Sequence, residues 1–195
     1  MLRAIVLAGA IAAALAVYFV MSLFVLPQYY QSQNRQVMPE AVVSGVSLSS
    51  RQIALGQTLS ITVAGKNAGE PADMQIVSVG FPNLTASSEI DVLRHDFRQT
   101  PLRIDRGDPV GSGYGATQVS AQYPSIEASS RPWESGVTYA IDLQVKPQTE
   151  GNFVIFVKSV AFPHSSDRAH YPRDGPVDYQ QEFVDSYSVQ VTTKS

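Results

Sequence analysis

GVTYAIDLQVKPQTEGNFVIFVKSV, residues 136–160, holds two apolar runs around a polar turn. From Val137 to Val145 the pattern is strict: Val137, Tyr139, Ile141, Leu143 and Val145 alternate with Thr138, Ala140, Asp142 and Gln144. A two-residue period sends alternate side chains to opposite faces of an extended chain, so this run reads as a half-buried β-strand. Lys146–Gly151 carries turn residues, and Asn152–Phe162 returns with apolar residues at both parities, as expected of a central strand covered on both faces. The sequence predicts a hairpin of these two strands.

The same two-residue beat runs through the rest of the chain after Leu26. Val42–Leu48 is a first strand, and Thr58–Ala64 sets Leu59, Ile61 and Val63 against Thr58, Ser60 and Thr62. Asp73–Phe81, Ile90–Phe97 and Asp185–Thr193 add further strands. Thr117–Ala128 is interrupted by Pro124, which marks an edge or a bend because proline lacks the N–H a ladder needs. No sustained 3.6-residue period occurs after Leu26. Short strands joined by Gly and Pro turns predict a mainly β fold, an Ig-like antiparallel β-sandwich. Two longer stretches interrupt it, Asp105–Ala116 and Pro163–Gln181. Loops of that length are uncommon in compact domains and tend to carry function.

Ahead of this domain stands Ala4–Leu26, an uncharged apolar run with no proline. As a helix it would be about 34 Å long, against about 30 Å for the hydrocarbon core of a bilayer. It reads as one N-terminal transmembrane helix that contacts membrane lipid through residues 4–26. Ala14-Leu15-Ala16 has the small-x-small form of a signal cleavage site, but cutting there would leave Val17–Leu26 on the new terminus, so retention is the expectation. Arg3 places the N-terminus inside. The organisation expected is an anchor over residues 1–27, a polar linker over 28–40 and a sandwich over 41–195. The location expected is the cytoplasmic membrane, single-pass, with the C-terminal domain outside.

With 195 residues and a net charge of −3, the chain has room for one sandwich and no basic excess, so nucleic acid is not an expected partner. It has no cysteine, which excludes disulfides, thiolate zinc sites and the blue-copper ligand set.

Gly56-Gln57-Thr58-Leu59-Ser60-Ile61-Thr62-Val63, followed by Lys66-Asn67-Ala68-Gly69-Glu70 and a strand, resembles the opening of CARDB and related Ig-like adhesion domains of bacterial and archaeal surfaces. The match covers some thirty residues and is echoed by residues 136–160. The resemblance implies an Ig-like sandwich at a cell surface. It carries no binding residues over to this chain.

Few constellations suggest chemistry. His164 and His170, with Asp167 and Asp174, could present nitrogen and oxygen ligands to zinc or copper, but loop spacing imposes no common face. Gly107, Gly111, Gly113 and Gly115 do not lie between a strand and a helix, as a phosphate cradle requires. Arg106-Gly107-Asp108 is too short a string to carry weight, and no G-x-S-x-G elbow is present. Asn83-Leu84-Thr85 is a glycosylation sequon, and Trp133 precedes the clearest strand as a core residue.

The expectation is a non-enzymatic subunit, with no catalytic residues and no cofactor, serving as an accessory, adhesion or scaffold part of an archaeal or bacterial cell-envelope assembly. Its partners would be other membrane or envelope proteins, met through Arg168, Tyr171, Arg173 and Tyr179. Two alternatives stay open. One is a metal-binding accessory subunit of a membrane oxidoreductase complex, with His164 and His170 as ligands. The other is a pilin- or archaellum-associated subunit, although the basic processing site before the apolar run is absent.

Overall fold

The computed structural model describes Leu15, Val17, Tyr18 and residues 38–111, 117–163 and 168–193. The chain divides into two compact units, Met1–Gln36 and Val37–Ser195. In the first, Leu15, Val17 and Tyr18 are helical and exposed. The rest of the predicted span, and the linker up to residue 37, lie outside the described residues. Among the described residues no helix is long and apolar enough to cross a membrane.

The second unit is a sandwich of two sheets. In chain order its strands are β1 (Ala41–Leu48), β2 (Gln52–Ala54), β3 (Leu59–Asn67), β4 (Met74–Gly80), β5 (Ile90–His95), β6 (Leu102–Ile104), β7 (Pro109–Gly111), β8 (Gln118–Ser120), β9 (Ser125–Ser130), β10 (Thr138–Val145), β11 (Gly151–Phe162), β12 (Ala169–Tyr171) and β13 (Asp185–Thr192). One sheet runs β1-β3-β10-β5 and the other β2-β13-β11-β4-β9-β6, with β12 beside β11, while β7 and β8 pair separately. Every pairing is antiparallel except that of β2 with β13. Leu59, Ile61, Val63, Ile141 and Leu143 of the first sheet meet Val77, Val79, Ile126, Ile155 and Val157 of the second in one buried core. Both sets sit at alternate positions, so the period read from the sequence is the period that fills the sandwich.

The predicted hairpin does not form. β10 pairs with β3 and β5, whereas β11 pairs with β4, β12 and β13, so the turn after Val145 crosses from one sheet to the other. Alternation says which face of a strand is buried, and two strands facing one core from opposite sheets show the same alternation as two partners in a hairpin. β11 is apolar at both parities because its inner face enters the core and its outer face is covered by the chain that follows. Pro124 falls between β8 and β9 and splits the predicted Thr117–Ala128 run.

Three local devices fix the frame. In β1 the register shifts between Val43 and Gly45, so that Val46 and Leu48 turn toward the core like Ala41 and Val43 before them. A bulge of this kind moves one residue out of the ladder and reverses the parity beyond it. Trp133 is fully buried, with Tyr139 edge-on at 4.8 Å, Phe97 at 5.5 Å and its indole N–H donated to the Val137 carbonyl at 2.9 Å. Gly65 lies opposite it, where a Cβ would stand 2.4 Å from Val77 and 3.2 Å from the indole, so only glycine admits the ring there.

Asn67, fully buried at the end of β3, holds the corner. Its Oδ1 accepts the backbone N–H of Glu40 at 3.0 Å and of Gly69 at 3.1 Å, while Nδ2 donates to the carbonyls of Glu70 at 2.7 Å and Trp133 at 3.2 Å. Asn67→Ala would remove all four bonds and leave the buried Trp133 carbonyl and the part-buried groups of Glu40, Gly69 and Glu70 without this partner. The expected outcome is a loss of about 2–3 kcal/mol of unfolding free energy in urea titration with an unchanged slope.

Candidate functional site

A lysine in the middle of FVIFVKSVAF stands out in β11. Lys158 points to the outer face of the second sheet, where its side chain is 7% exposed. An ammonium cannot be buried without compensation, and here three acceptors take its three protons. They are Asp178 Oδ2 at 2.6 Å, Gln180 Oε1 at 2.5 Å and Glu182 Oε2. The acceptors come from one short segment. Backbone bonds from Asp178 N–H to the Glu182 carbonyl, Gln181 N–H to the Asp178 carbonyl and Val184 N–H to the Pro176 carbonyl close it into a tight turn. Gln181 turns through a positive φ of 63° at its tip. The spacing Asp178-x-Gln180-x-Glu182 then brings all three polar side chains to the one amine.

Around this cluster the outer face is partly apolar and partly charged. Ser78 of β4 sits between Lys158 and Glu127 in register across three strands, and its small side chain leaves space above the sheet. A cavity of about 160 Å³ results, lined by Ile76, Glu127, Lys158, Phe162, Arg168 and Glu182 among others. Tyr179 stacks edge-on against Tyr123 at 4.8 Å, and Tyr123 in turn meets Phe156 at 5.7 Å, closing the other side of the ammonium.

The electrostatics follow from burial. Desolvation, and then the charge of Asp178, push the phenols of Tyr123 and Tyr179 well above their usual range, so both stay neutral. Burial raises the carboxyl of Glu127, and the nearby Lys158 only partly offsets it. Burial would raise Glu182 as well, but a hydrogen bond from His170, whose Nδ1 lies 3.3 Å from Glu182 Oε1, and then the charge of Lys158 hold it below the usual range.

The residues singled out from the sequence scatter over this unit. Pro163–Gln181 is not one open loop: Ala169–Tyr171 forms β12 beside β11, a strand too short to show a period. Tyr171 packs against the core from the inner face and Tyr179 packs on Tyr123. Arg168 is exposed with its guanidinium 5.1 Å over the Phe162 ring. Arg173, also exposed, reaches Glu40 at 3.4 Å. His164, together with Gly113 and Gly115, lies outside the described residues. Among the described residues no group of three or more His, Asp or Glu side chains is placed to hold a metal ion, and the cation shared by Asp178 and Glu182 is the ammonium. Asn83 is exposed, and its Oδ1 accepts the Val154 N–H at 2.7 Å.

Sequence reasoning passed over Lys158, Asp178, Gln180, Glu182 and Glu127. The signal was present in one of them: a lysine inside ten otherwise mostly apolar strand residues requires a buried counter-charge. Which carboxylates supply it depends on the fold.

No family model matches the sequence, and no curated protein matches it. Among solved structures the chain is similar to the CARDB domain of a Pyrococcus furiosus protein, with 10% identity and a TM-score of 0.40 over 83% of this chain and 100% of that one. It is also similar to a cohesin module from a Clostridium perfringens family 33 glycoside hydrolase, with 7% identity and a TM-score of 0.39 over 82% of this chain and 100% of that one. A third likeness is the C-terminal domain of Wzt, with 8% identity and a TM-score of 0.41 over 82% and 78% of the two chains.

The opposed carboxyls of the site make a pH prediction with a definite sign. Glu182, lowered from 4.5 on folding, contributes stability above that pH and loses it as pH falls through its folded value. Glu127 is raised from 4.5, so its contribution is full below that pH and is lost as pH rises through its folded value. Glu127→Gln should therefore raise the melting temperature relative to the parent as pH moves from 4.5 to neutrality, whereas Glu182→Gln should lower it over the same range.

Proposed function

We propose that this protein is a single-pass, membrane-anchored β-sandwich domain presented outside the cytoplasmic membrane, serving as an accessory, adhesion or scaffold subunit of a cell-envelope assembly. The observation that carries this reading is the way the start of the sandwich is fastened. Met38 donates its N–H to Glu70 Oε2 at 3.0 Å, and its carbonyl accepts the Glu70 N–H at 3.0 Å. The Glu40 carbonyl accepts the Ala68 N–H at 2.8 Å, and Glu40 N–H goes to Asn67. A Cβ on Gly69 would stand 2.4 Å from the Met38 carbonyl oxygen, so the two segments lie backbone to backbone. Beyond this clamp the β1 ladder runs to Leu48.

A clamp of this kind suits a domain tethered through its N-terminus, because a pull on Met38 is met by several hydrogen bonds at once. The apolar run Ala4–Leu26 supports the same reading from the sequence. Partner contact is assigned to Arg168 and Arg173, the exposed two of the four residues singled out earlier. Guanidinium groups form paired hydrogen bonds with carboxylates and hold their charge throughout the physiological range.

Protease added to intact cells should degrade the sandwich and leave a small membrane-bound fragment carrying the apolar run. Full protection of the domain, with sensitivity only after lysis, would overturn the topology. Independently, Arg168→Ala with Arg173→Ala should reduce co-purification of envelope proteins in mild detergent with little change in melting temperature.

A further inference from the structure

The geometry around Asp178 is that of an acyl group poised for attack. Lys158 Nζ lies 2.6 Å from Asp178 Oδ2, and the two side chains are 7% and 1% exposed. The other oxygen, Asp178 Oδ1, accepts the backbone N–H of Gln180 at 2.9 Å and of Glu182 at 3.0 Å. Two amides fixed in a tight turn and aimed at one oxygen are the arrangement that stabilises an oxyanion when a carbonyl carbon is attacked. A second carboxylate, Glu182, touches the same Nζ through Oε2 and is steadied from behind by His170. Beside the pair is a second, small cavity of about 10 Å³, lined by Ser78, Tyr123, Phe156, Lys158, Asp178 and Gln180 among others. That volume is at the lower limit for one water molecule.

We infer that Lys158 and Asp178 condense within the folded chain to an isopeptide bond between Nζ and Cγ, with Glu182 as the base. A proton passes from the ammonium to Asp178 Oδ2, leaving a neutral amine beside a neutral carboxyl. The Nζ lone pair attacks Cγ, and the carbonyl electrons move onto Oδ1 between the two amide N–H groups. Glu182 Oε2 takes the next proton from Nζ. When the Cγ–Oδ1 double bond re-forms, the Cγ–Oδ2 bond breaks, and the hydroxyl leaves with the proton from Glu182 as one water. Glu182 returns to its carboxylate, and no oxidant or outside reactant is consumed.

Burial supplies the drive. A paired ammonium and carboxylate in the interior still bear most of their desolvation cost, and the amide product carries no charge. Holding amine and acyl carbon together removes the entropic cost of bringing them to each other. The product would tie central strand β11 to the turn covering it, in a chain that has no cysteine to make a disulfide.

The test is mass spectrometry of the purified full-length chain after denaturation and trypsin digestion. Arg131 and Lys146 each precede proline and resist trypsin, and an acylated Lys158 resists it too. The linked protein should therefore yield residues 107–168 joined to 174–194, lighter by one water than the two peptides together. Lys158→Arg should abolish the joined species. Glu182→Gln, which keeps the amine and Asp178, should leave the parts separate in a chain whose far-UV spectrum is still that of a folded sheet protein. Recovery of 107–158, 159–168 and 174–194 as separate peptides from the parent chain would overturn the inference. So would a joined species that survives Lys158→Arg, while joining that persists in Glu182→Gln would remove Glu182 as the base.

Discussion

The buried ammonium of Lys158 is the constraint that shapes the outer half of this domain. A charge withdrawn from water in mid-strand is tolerated only with carboxylate partners and its hydrogen bonds filled. Asp178, Gln180 and Glu182 fill them, and to do so the chain after β12 must lie across the outer face of β11 rather than project from it. Covering that face buries Tyr179 against Tyr123 and leaves the cavity between Glu127 and Arg168. The apolar residues on the outer parity of β11 are half-buried there, Phe156 against Tyr123, Val160 beside Gln180 and Glu182 in the cavity, and Phe162 under Arg168.

The corner around Asn67 is held by neutral groups. Asn67 joins the start of β1 to the end of β3 and to the backbone at Trp133, through part-buried hydrogen bonds at Glu40 and Glu70 and a buried one at Trp133. Gly65 and Gly69 make the approach possible, one by admitting the indole and the other by letting two backbones touch. Gln75 adds a tie between the sheets, donating to the Lys66 carbonyl at 3.1 Å and to Ser159 Oγ at 2.9 Å inside the core. A buried side chain whose oxygen and nitrogen are both bonded, as in Asn67, holds its partners in one arrangement and so selects one register at this corner.

The strands with five or more alternating residues were legible, and their inner faces are the faces the pattern marks. What pattern could not supply was pairing. β10 and β11 read as a hairpin because both present an apolar face and a turn lies between them, yet they belong to opposite sheets. The short strands β2, β6, β7 and β12 were not legible either, since three residues hold less than two periods and their pairing comes from neighbours already in place. Tyr171 and Tyr179 illustrate the limit for side chains. Both were read as contact residues from their place in a long loop, and the structure packs one against the inner face and the other on Tyr123.

By itself the sequence determined that the chain from Ala41 onward is a β-sandwich, that no disulfide or thiolate metal site holds it, and that Trp133 belongs to the core. Those conclusions rest on local facts: the period of apolar residues, the absence of cysteine and the size of one ring. Only the tertiary structure decided which strands are neighbours, that the stretch after Phe162 folds back over the sheet, and that Lys158 meets Asp178 and Glu182. Contacts between residues twenty or more apart depend on the path of the backbone in three dimensions. A lysine in an apolar strand announces that it needs a partner, and the fold alone says who that partner is.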